Sequence, residues 1–315
     1  MLEGVLSMQN LISDPVSMTS CRQEAYLLRL RRQFPFVYVK TLTRTAFGRS
    51  VYALQFGSGS RKLLITAGHH ANETITSDAV WQWLFTFCNA LLDGRTVCGA
   101  EARELYHNAM VYLVPLVNPD GADLAAGVCA PGSPEYRAAA DIAAQYPDIP
   151  FPSGWKANIR GIDLNLQYPA GWSTARKIKF AAGYTRPGPR DYVGPAPLTA
   201  PESLAMYGFT RALDPQLTLS YHTQGRVIYW QYDGYDVPGS KAIAERFAAA
   251  SGYDVAETPY ASGHAGYKDW FIQDFHRPGF TIEAGSGENP LPLSQFPDIW
   301  SDNLGILLGG MTAVL

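Results

Sequence analysis

Short apolar runs alternate along the chain with longer amphipathic ones. Ser20, with Gln23 three residues on, resembles a capping box. Leu27, Leu30, Arg31 and Phe34 then keep helical spacing until Pro35 stops it. Residues 36–42 and 50–56 read as strands around a turn at Gly48, and residues 61–66 (RKLLIT) as a short apolar strand ending at Ala67-Gly68. Residues 77–92 predict an amphipathic helix rich in Trp and Phe, ended by Gly94. Residues 109–117 (AMVYLVPLV) read as a buried strand whose end Pro115 makes irregular. Residues 118–160, rich in Pro, Gly and Ala, predict a long loop with one short helix over 136–145. A helix follows over 200–213, with Pro201 and Glu202 in its first turn. Strands over 217–221 and 227–232, a helix over 240–251, a strand over 280–283 and a closing helix over 296–314 complete the pattern.

Strands alternate with helices throughout, no repeat is visible and no polar linker divides the chain. The expectation is a single α/β domain with a mixed sheet and helices on both faces. Residues 1–35 form an N-terminal helical segment packed on it, and residues 36–315 form the domain. At 315 residues the chain can bury roughly three quarters of its unfolded surface, so folding needs neither a disulfide nor a metal. Its charged fraction of 17% argues against disorder, and a net charge of -3 gives no basic footprint for nucleic acid. No apolar run approaches the ~20 residues of a membrane span. The start, MLEGVLSMQNLISDPVS, lacks a basic region and an apolar core and carries Glu3, so it does not read as a signal peptide. Cys21, Cys88, Cys98 and Cys129 are dispersed, which fits reduced thiols and a cytoplasmic protein.

Candidate chemistry begins at Gly68-His69-His70-Ala71-Asn72-Glu73. His70 and Glu73 lie at i and i+3, on one side of a turn. With a distant second histidine they make the His₂Glu set of catalytic zinc sites. Alone, the pair is as well explained by a surface histidine beside a solvated glutamate. Position changes that weighting. The pair follows an apolar strand, and so do His222 (Leu219-Ser220-Tyr221-His222) and Glu283 (Phe280-Thr281-Ile282-Glu283). Ligands collect at the carboxyl ends of strands in open α/β sheets, and a carboxylate ending an apolar strand is costly to bury without a partner.

The ordered set His70-x-x-Glu73, Asn118-Pro119-Asp120-Gly121, Gly161-Ile162-Asp163-Leu164-Asn165, His222 and Glu283 resembles the zinc carboxypeptidases over about residues 40 to 300. Trp155-Lys156-Ala157-Asn158, Gln167-Tyr168-Pro169-Ala170, Ser220-Tyr221-His222-Thr223-Gln224-Gly225 and Gly266-Tyr267-Lys268-Asp269-Trp270 resemble one branch, the γ-D-glutamyl-L-diamino acid peptidases, which cut peptides derived from bacterial cell walls. The resemblance implies a mostly parallel, twisted sheet and one Zn²⁺ held by His70, Glu73 and His222. It implies that Asp163 hydrogen-bonds a ligand imidazole and that Glu283 is the general base, drawing a proton from metal-activated water. Lys156 stands where the family has the arginine that polarises the scissile carbonyl, with Arg160 four residues on as a second candidate. The family's Asn-Arg pair, which clamps the terminal carboxylate, is Asn165-Leu166 here, and Asn72 replaces an arginine in the metal motif. Lys268 stands where the family sets specificity for the group after the cut, and it favours a carboxylate such as the distal one of diaminopimelate. Tyr260 lies near the family's mobile tyrosine.

The implied activity is hydrolysis of a γ-D-glutamyl–meso-diaminopimelate amide in muropeptides. The competing readings are a zinc N-acyl amino acid deacylase, an ordinary metallocarboxypeptidase and an inactive binding module. His69, His107 and His276 need no function, and His264 reads as a loop histidine that could touch substrate. Arg176-Lys177-Lys179 reads as a solvated face, and Asp120 mainly as a turn signal. A nucleophile elbow, a phosphate loop and a dinucleotide fingerprint are absent from the sequence.

Overall fold

The computed structural model describes residues 17–314. Helix α1 (Ser20–Gln33) precedes strands β1 (Tyr38–Arg44), β2 (Ser50–Gly57) and β3 (Arg61–Thr66) and the long helix α2 (Ile75–Asp93). A small hairpin, β4 (Thr96–Val97) and β5 (Ala100–Glu101), leads into α3 (Ala102–Asn108) and β6 (Ala109–Val114). Helices α4 (Pro119–Ala125), α5 (Pro134–Ala143), α6 (Trp172–Ala181) and α7 (Pro201–Leu213) carry the chain to β7 (Leu217–His222) and β8 (Val227–Tyr229). Helix α8 (Ser240–Ser251), β9 (Asp254–Ala256), α9 (Tyr267–Phe275), β10 (Gly279–Glu283) and α10 (Phe296–Ala313) follow.

The main sheet runs β1-β2-β6-β3-β7-β10-β8-β9. Its four central strands, β6, β3, β7 and β10, are mutually parallel, whereas β2 meets β6, and β8 meets β10, in the antiparallel sense. The apolar runs are central strands covered on both faces. Alternate residues divide between two cores. Leu63, Ile65, Leu219, Tyr221, Phe280 and Ile282 join α1, α2, α8 and α10 on one side. Leu64 and Val114 join Met206 of α7 and Trp270 of α9 on the other. The result is a single α/β domain with a mixed sheet and helices on both faces. Among the described residues no helix is long and apolar enough to cross a membrane, and the four cysteines are unpaired.

Several elements differ from expectation for local reasons. The α1 cap is Thr19, whose Oγ1 accepts from Arg22 N at 3.2 Å, while Ser20 Oγ turns to Asp123 Oδ2 at 2.6 Å. Strand β6 stops at Val114, one residue before Pro115, which has no N–H to donate. Asn118-Pro119-Asp120-Gly121 opens a helix: Asn118 Oδ1 accepts from Gly121 N at 3.1 Å, and Pro119 sits in the first turn. Helices α3, α6 and α9 were not anticipated. Of the N-terminal segment, α1 buries Leu27 and Leu30 in the core, whereas residues 1–16, on which the leader reading falls, lie outside the described residues.

A buried ionic cluster ties α1 to α4. Asp123 accepts from Ser20 N at 2.7 Å and from Arg49 Nε at 2.6 Å, and Arg49 Nη1 reaches Asp120 Oδ1 at 2.9 Å. Removing Asp123 leaves Arg49 Nε and the helix start without their acceptor, while Arg49 keeps Asp120. The substitution Asp123→Ala is therefore expected to lower stability by about 3 kcal/mol in chemical denaturation; a loss below about 0.5 kcal/mol would show that the cluster contributes little.

Candidate active site

Sheet register assembles the site. Strands β7 and β10 run side by side with Glu283 opposite His222, and β3 flanks β7 with Thr66 opposite Ser220. Because side chains alternate, Tyr221 and Ile282 point into the core, while His222 and Glu283 share the opposite face. His70 follows β3 through Ala67-Gly68-His69. Gly68 takes a φ of +65°, and a Cβ there would lie 2.8 Å from Leu116 Cδ1. Asn118 Nδ2 braces this turn by donating to the carbonyls of His69 (3.3 Å) and Ala157 (3.0 Å).

His70, Glu73 and His222 converge in a buried cluster. Glu73 Oε1 lies 2.9 Å from His70 Nδ1, Glu73 Oε2 lies 3.0 Å from His222 Nδ1, and the two Nδ1 atoms are 3.0 Å apart. One donor atom from each residue fits within 4.8 Å of the others. Two imidazole nitrogens and a carboxylate oxygen facing one point form the donor set of a divalent cation, and a catalytic zinc site has this composition. Behind the cluster, Asp163 Oδ1 meets His70 Nε2 at 3.2 Å and accepts from Asn165 N at 3.1 Å. Its Oδ2 accepts from Asp191 N at 3.3 Å. Such a partner fixes the tautomer of the ligand ring and raises its basicity.

Burial sets the electrostatics; ion pairs outweigh it at His70, Glu73, Asp163 and Lys156 but not at His222 or Glu283. Desolvation opposes charge on His70, yet Glu73 and Asp163 hold its pKa up at about 9. Desolvation also opposes charge on Glu73 and Asp163, but His70 keeps both well below the ordinary carboxylate range. His222 is pushed down, chiefly by burial. The half-buried Glu283 rises to about 8 through desolvation and the nearby Glu73 charge. Lys156 is raised, because Asp163 and Glu73 more than offset its desolvation.

A cleft of about 730 Å³ lies over this floor, lined by His70, Lys156, Asp163, Asn165, Lys268 and Glu283 from the expected set. Asn165 Oδ1 accepts from Tyr267 N at 2.9 Å, which fixes the start of α9. Lys268 is buried. Its Nζ lies 2.6 Å from Asp269 Oδ1 and donates to the Gln231 carbonyl at 2.5 Å. Two expected substrate residues are not brought into the cleft. Arg160 lines a separate cavity of about 490 Å³ with Phe47, Ile142 and Arg186. Tyr260 is 72% exposed and stacks edge-on against His264. His69 is buried against Tyr168 OH at 3.2 Å.

Sequence reasoning passed over several cleft groups. Asn289 Nδ2 donates to Glu73 Oε1 at 3.3 Å, and Thr223 N donates to Oε2 at 3.2 Å. Arg190, Asp191 and Lys179 also line the cleft. Lys179, read as part of a solvated face, pairs with Asp191 Oδ1 at 2.6 Å. Neither Asn289 nor Arg190 belongs to a motif singled out in the sequence.

Clustered metal-type donors, a half-buried carboxylate beside them and an open cleft fit a metallopeptidase, and the family comparison agrees. The chain belongs to the zinc carboxypeptidase family, which it matches over residues 23–305. It is 41% identical over 285 residues to γ-D-glutamyl-L-diamino acid endopeptidase 1 of Lysinibacillus sphaericus, covering 90% of this chain and 69% of that one. Bovine thrombin-activatable fibrinolysis inhibitor, solved with a tick carboxypeptidase inhibitor, superposes with a TM-score of 0.72 at 18% identity, covering 95% of this chain and 97% of that one. The murein-tripeptide amidase MpaA of Escherichia coli O157 gives 0.52 at 18% identity, covering 86% and 91%. These two likenesses are of fold.

The geometry predicts how metal affinity responds to Asp163. Asp163→Asn keeps the shape but weakens the acceptor behind His70, so zinc affinity measured by calorimetry is expected to fall by about 10–100-fold. An unchanged affinity would contradict the role of Asp163.

Proposed function

We propose that this metallopeptidase hydrolyses the amide between a γ-D-glutamyl residue and meso-diaminopimelate in peptides derived from the bacterial cell wall. The observation that carries this reading is the cleft in which His70, one member of the His70–Glu73–His222 cluster, meets Glu283 and the buried Lys268–Asp269 pair. The name of the Lysinibacillus relative supports the substrate class.

His70, Glu73 and His222 would hold a single zinc ion, which when bound supplies Lewis acidity and lowers the pKa of a water from ~15.7 to ~7. Glu283 takes a proton from the attacking water and returns it to the departing amine. Burial makes its carboxylate more basic than an exposed one, which suits it to accept that proton. Lys156, kept charged by Asp163 and Glu73, steadies the negative charge that develops on the carbonyl oxygen, as a point charge rather than a fork. Lys268 and Asp269 together present both signs. The carboxylate of the distal diaminopimelate group pairs with Lys268 and its ammonium with Asp269, whereas a lysine side chain brings an ammonium alone.

Incubation of the zinc-loaded enzyme with L-alanyl-γ-D-glutamyl-meso-diaminopimelate, followed by mass spectrometry, is expected to show release of diaminopimelate. The lysine-containing analogue is cut more slowly, and Lys268→Ala narrows that difference. Glu283→Gln lowers kcat by about 10²–10⁴ while retaining zinc. Cleavage of N-acyl amino acids but not of the tripeptide would replace this reading with a deacylase, and full activity in Glu283→Gln would overturn the role of Glu283.

A further inference from the structure

We infer that Arg190 is the residue that anchors a substrate carboxylate next to the scissile bond, an inference that rests on the substrate class proposed above. The residue sits on a stretch that is pinned to the cleft wall. The Pro189 carbonyl accepts from Lys156 N and from Ala157 N, both at 2.8 Å, and Gly188 N donates to the Gly161 carbonyl at 3.0 Å. One residue on, Asp191 N bonds Asp163 Oδ2, and Asp163 N bonds the Tyr192 carbonyl at 2.9 Å. Arg190 is thus built into the same frame as Lys156 and as Asp163, the partner of His70.

Its side chain is oriented but not used up. Nε donates to Asp191 Oδ2 at 2.6 Å, while the other oxygen of Asp191 is occupied by Lys179 at 2.6 Å. The two terminal amino groups of Arg190 have no protein acceptor among the described residues, and the side chain is 46% exposed along the cleft. The other cleft cations are engaged elsewhere. Lys268, set between Asp269 and the Gln231 carbonyl, is the cation assigned above to the distal carboxylate, Lys179 is held by Asp191, and Lys156 lies among Asp163, Glu73 and Asp191. A guanidinium with a free pair of donors matches the two oxygens of a carboxylate.

The substrate class supplies such anions. A γ-linkage leaves the α-carboxylate of the glutamyl residue free, and the diamino acid carries its own carboxylate on the carbon bonded to the reacting nitrogen. Both groups flank the bond to be cut, and neither has a counter-charge in the substrate at that point. Leu166, beside Asn165 on the cleft wall, offers no charge.

The test measures binding, so that it does not depend on turnover. The zinc-loaded Glu283→Gln protein is titrated by calorimetry with the tripeptide and with two analogues, one carrying a carboxamide at the glutamyl α-carboxylate and one at the diamino-acid carboxylate flanking the scissile bond. Adding Arg190→Ala is expected to weaken the tripeptide by about 10–100-fold. Arg190→Lys gives a smaller loss, since it keeps the charge without the fork. For the analogue that lacks the recognised carboxylate, Arg190→Ala changes nothing further, which identifies the group. Arg186→Ala, in the separate cavity, leaves affinity unchanged. Unaltered tripeptide affinity in Arg190→Ala, or an equal loss with all three ligands, overturns the assignment, as does failure of the Arg190-intact protein to bind the tripeptide. Failure of the function proposal alone looks different: the tripeptide binds through Arg190, but the wild type does not cut it.

Discussion

A single buried carboxylate holds the site together. Glu73 directs one oxygen to His70 and Asn289 and the other to His222 and the backbone of Thr223. These partners come from the turn after β3, the end of β7 and the loop beyond β10. A carboxylate so far from water is tolerable only when its lone pairs are answered, so the three segments are fixed by one charge. Glu73 also lies just before α2, where the helix dipole favours negative charge.

That constraint reaches outward through layers of hydrogen bonds. His70 passes its second nitrogen to Asp163, Asp163 engages the backbone of Asn165 and Asp191, and Asn165 engages Tyr267. His222 and Glu283 sit at the ends of parallel strands and His70 and Glu73 on the turn after one, whereas Lys156, Lys179 and Arg190 of the cleft lie outside the sheet. The Lys268–Asp269 pair, at the start of α9, is as buried as the metal donors. A buried ion pair adds little to stability, and the proposed recognition role gives this one a reason to line the cleft.

The candidate site residues stand out in the sequence because they end or follow apolar runs. His222 and Glu283 each close a strand, and the His70-to-Glu73 spacing marks a turn. Their adjacency was not legible, because register between β7 and β10 joins residues far apart in the chain and no local pattern encodes it. Arg160 misled for the same reason. It is near Lys156 in sequence, but the chain reverses at Gly161, and its side chain lies in another cavity. Arg190 was invisible within a Pro- and Gly-rich stretch without periodicity, because long-range bonds such as those from Lys156 and Ala157 to Pro189 bring it to the cleft. Helix α4 was hidden by turn-type residues that turned out to be its cap, and Lys179 by neighbours that do face water.

The central claim is that two imidazoles and one carboxylate share one ion. X-ray absorption at the zinc edge of the loaded protein tests it most directly. The account predicts two imidazole nitrogens and light oxygen ligands at about 2.0–2.2 Å, with no sulfur near 2.3 Å. A sulfur shell, or a signal with a single imidazole, would contradict it.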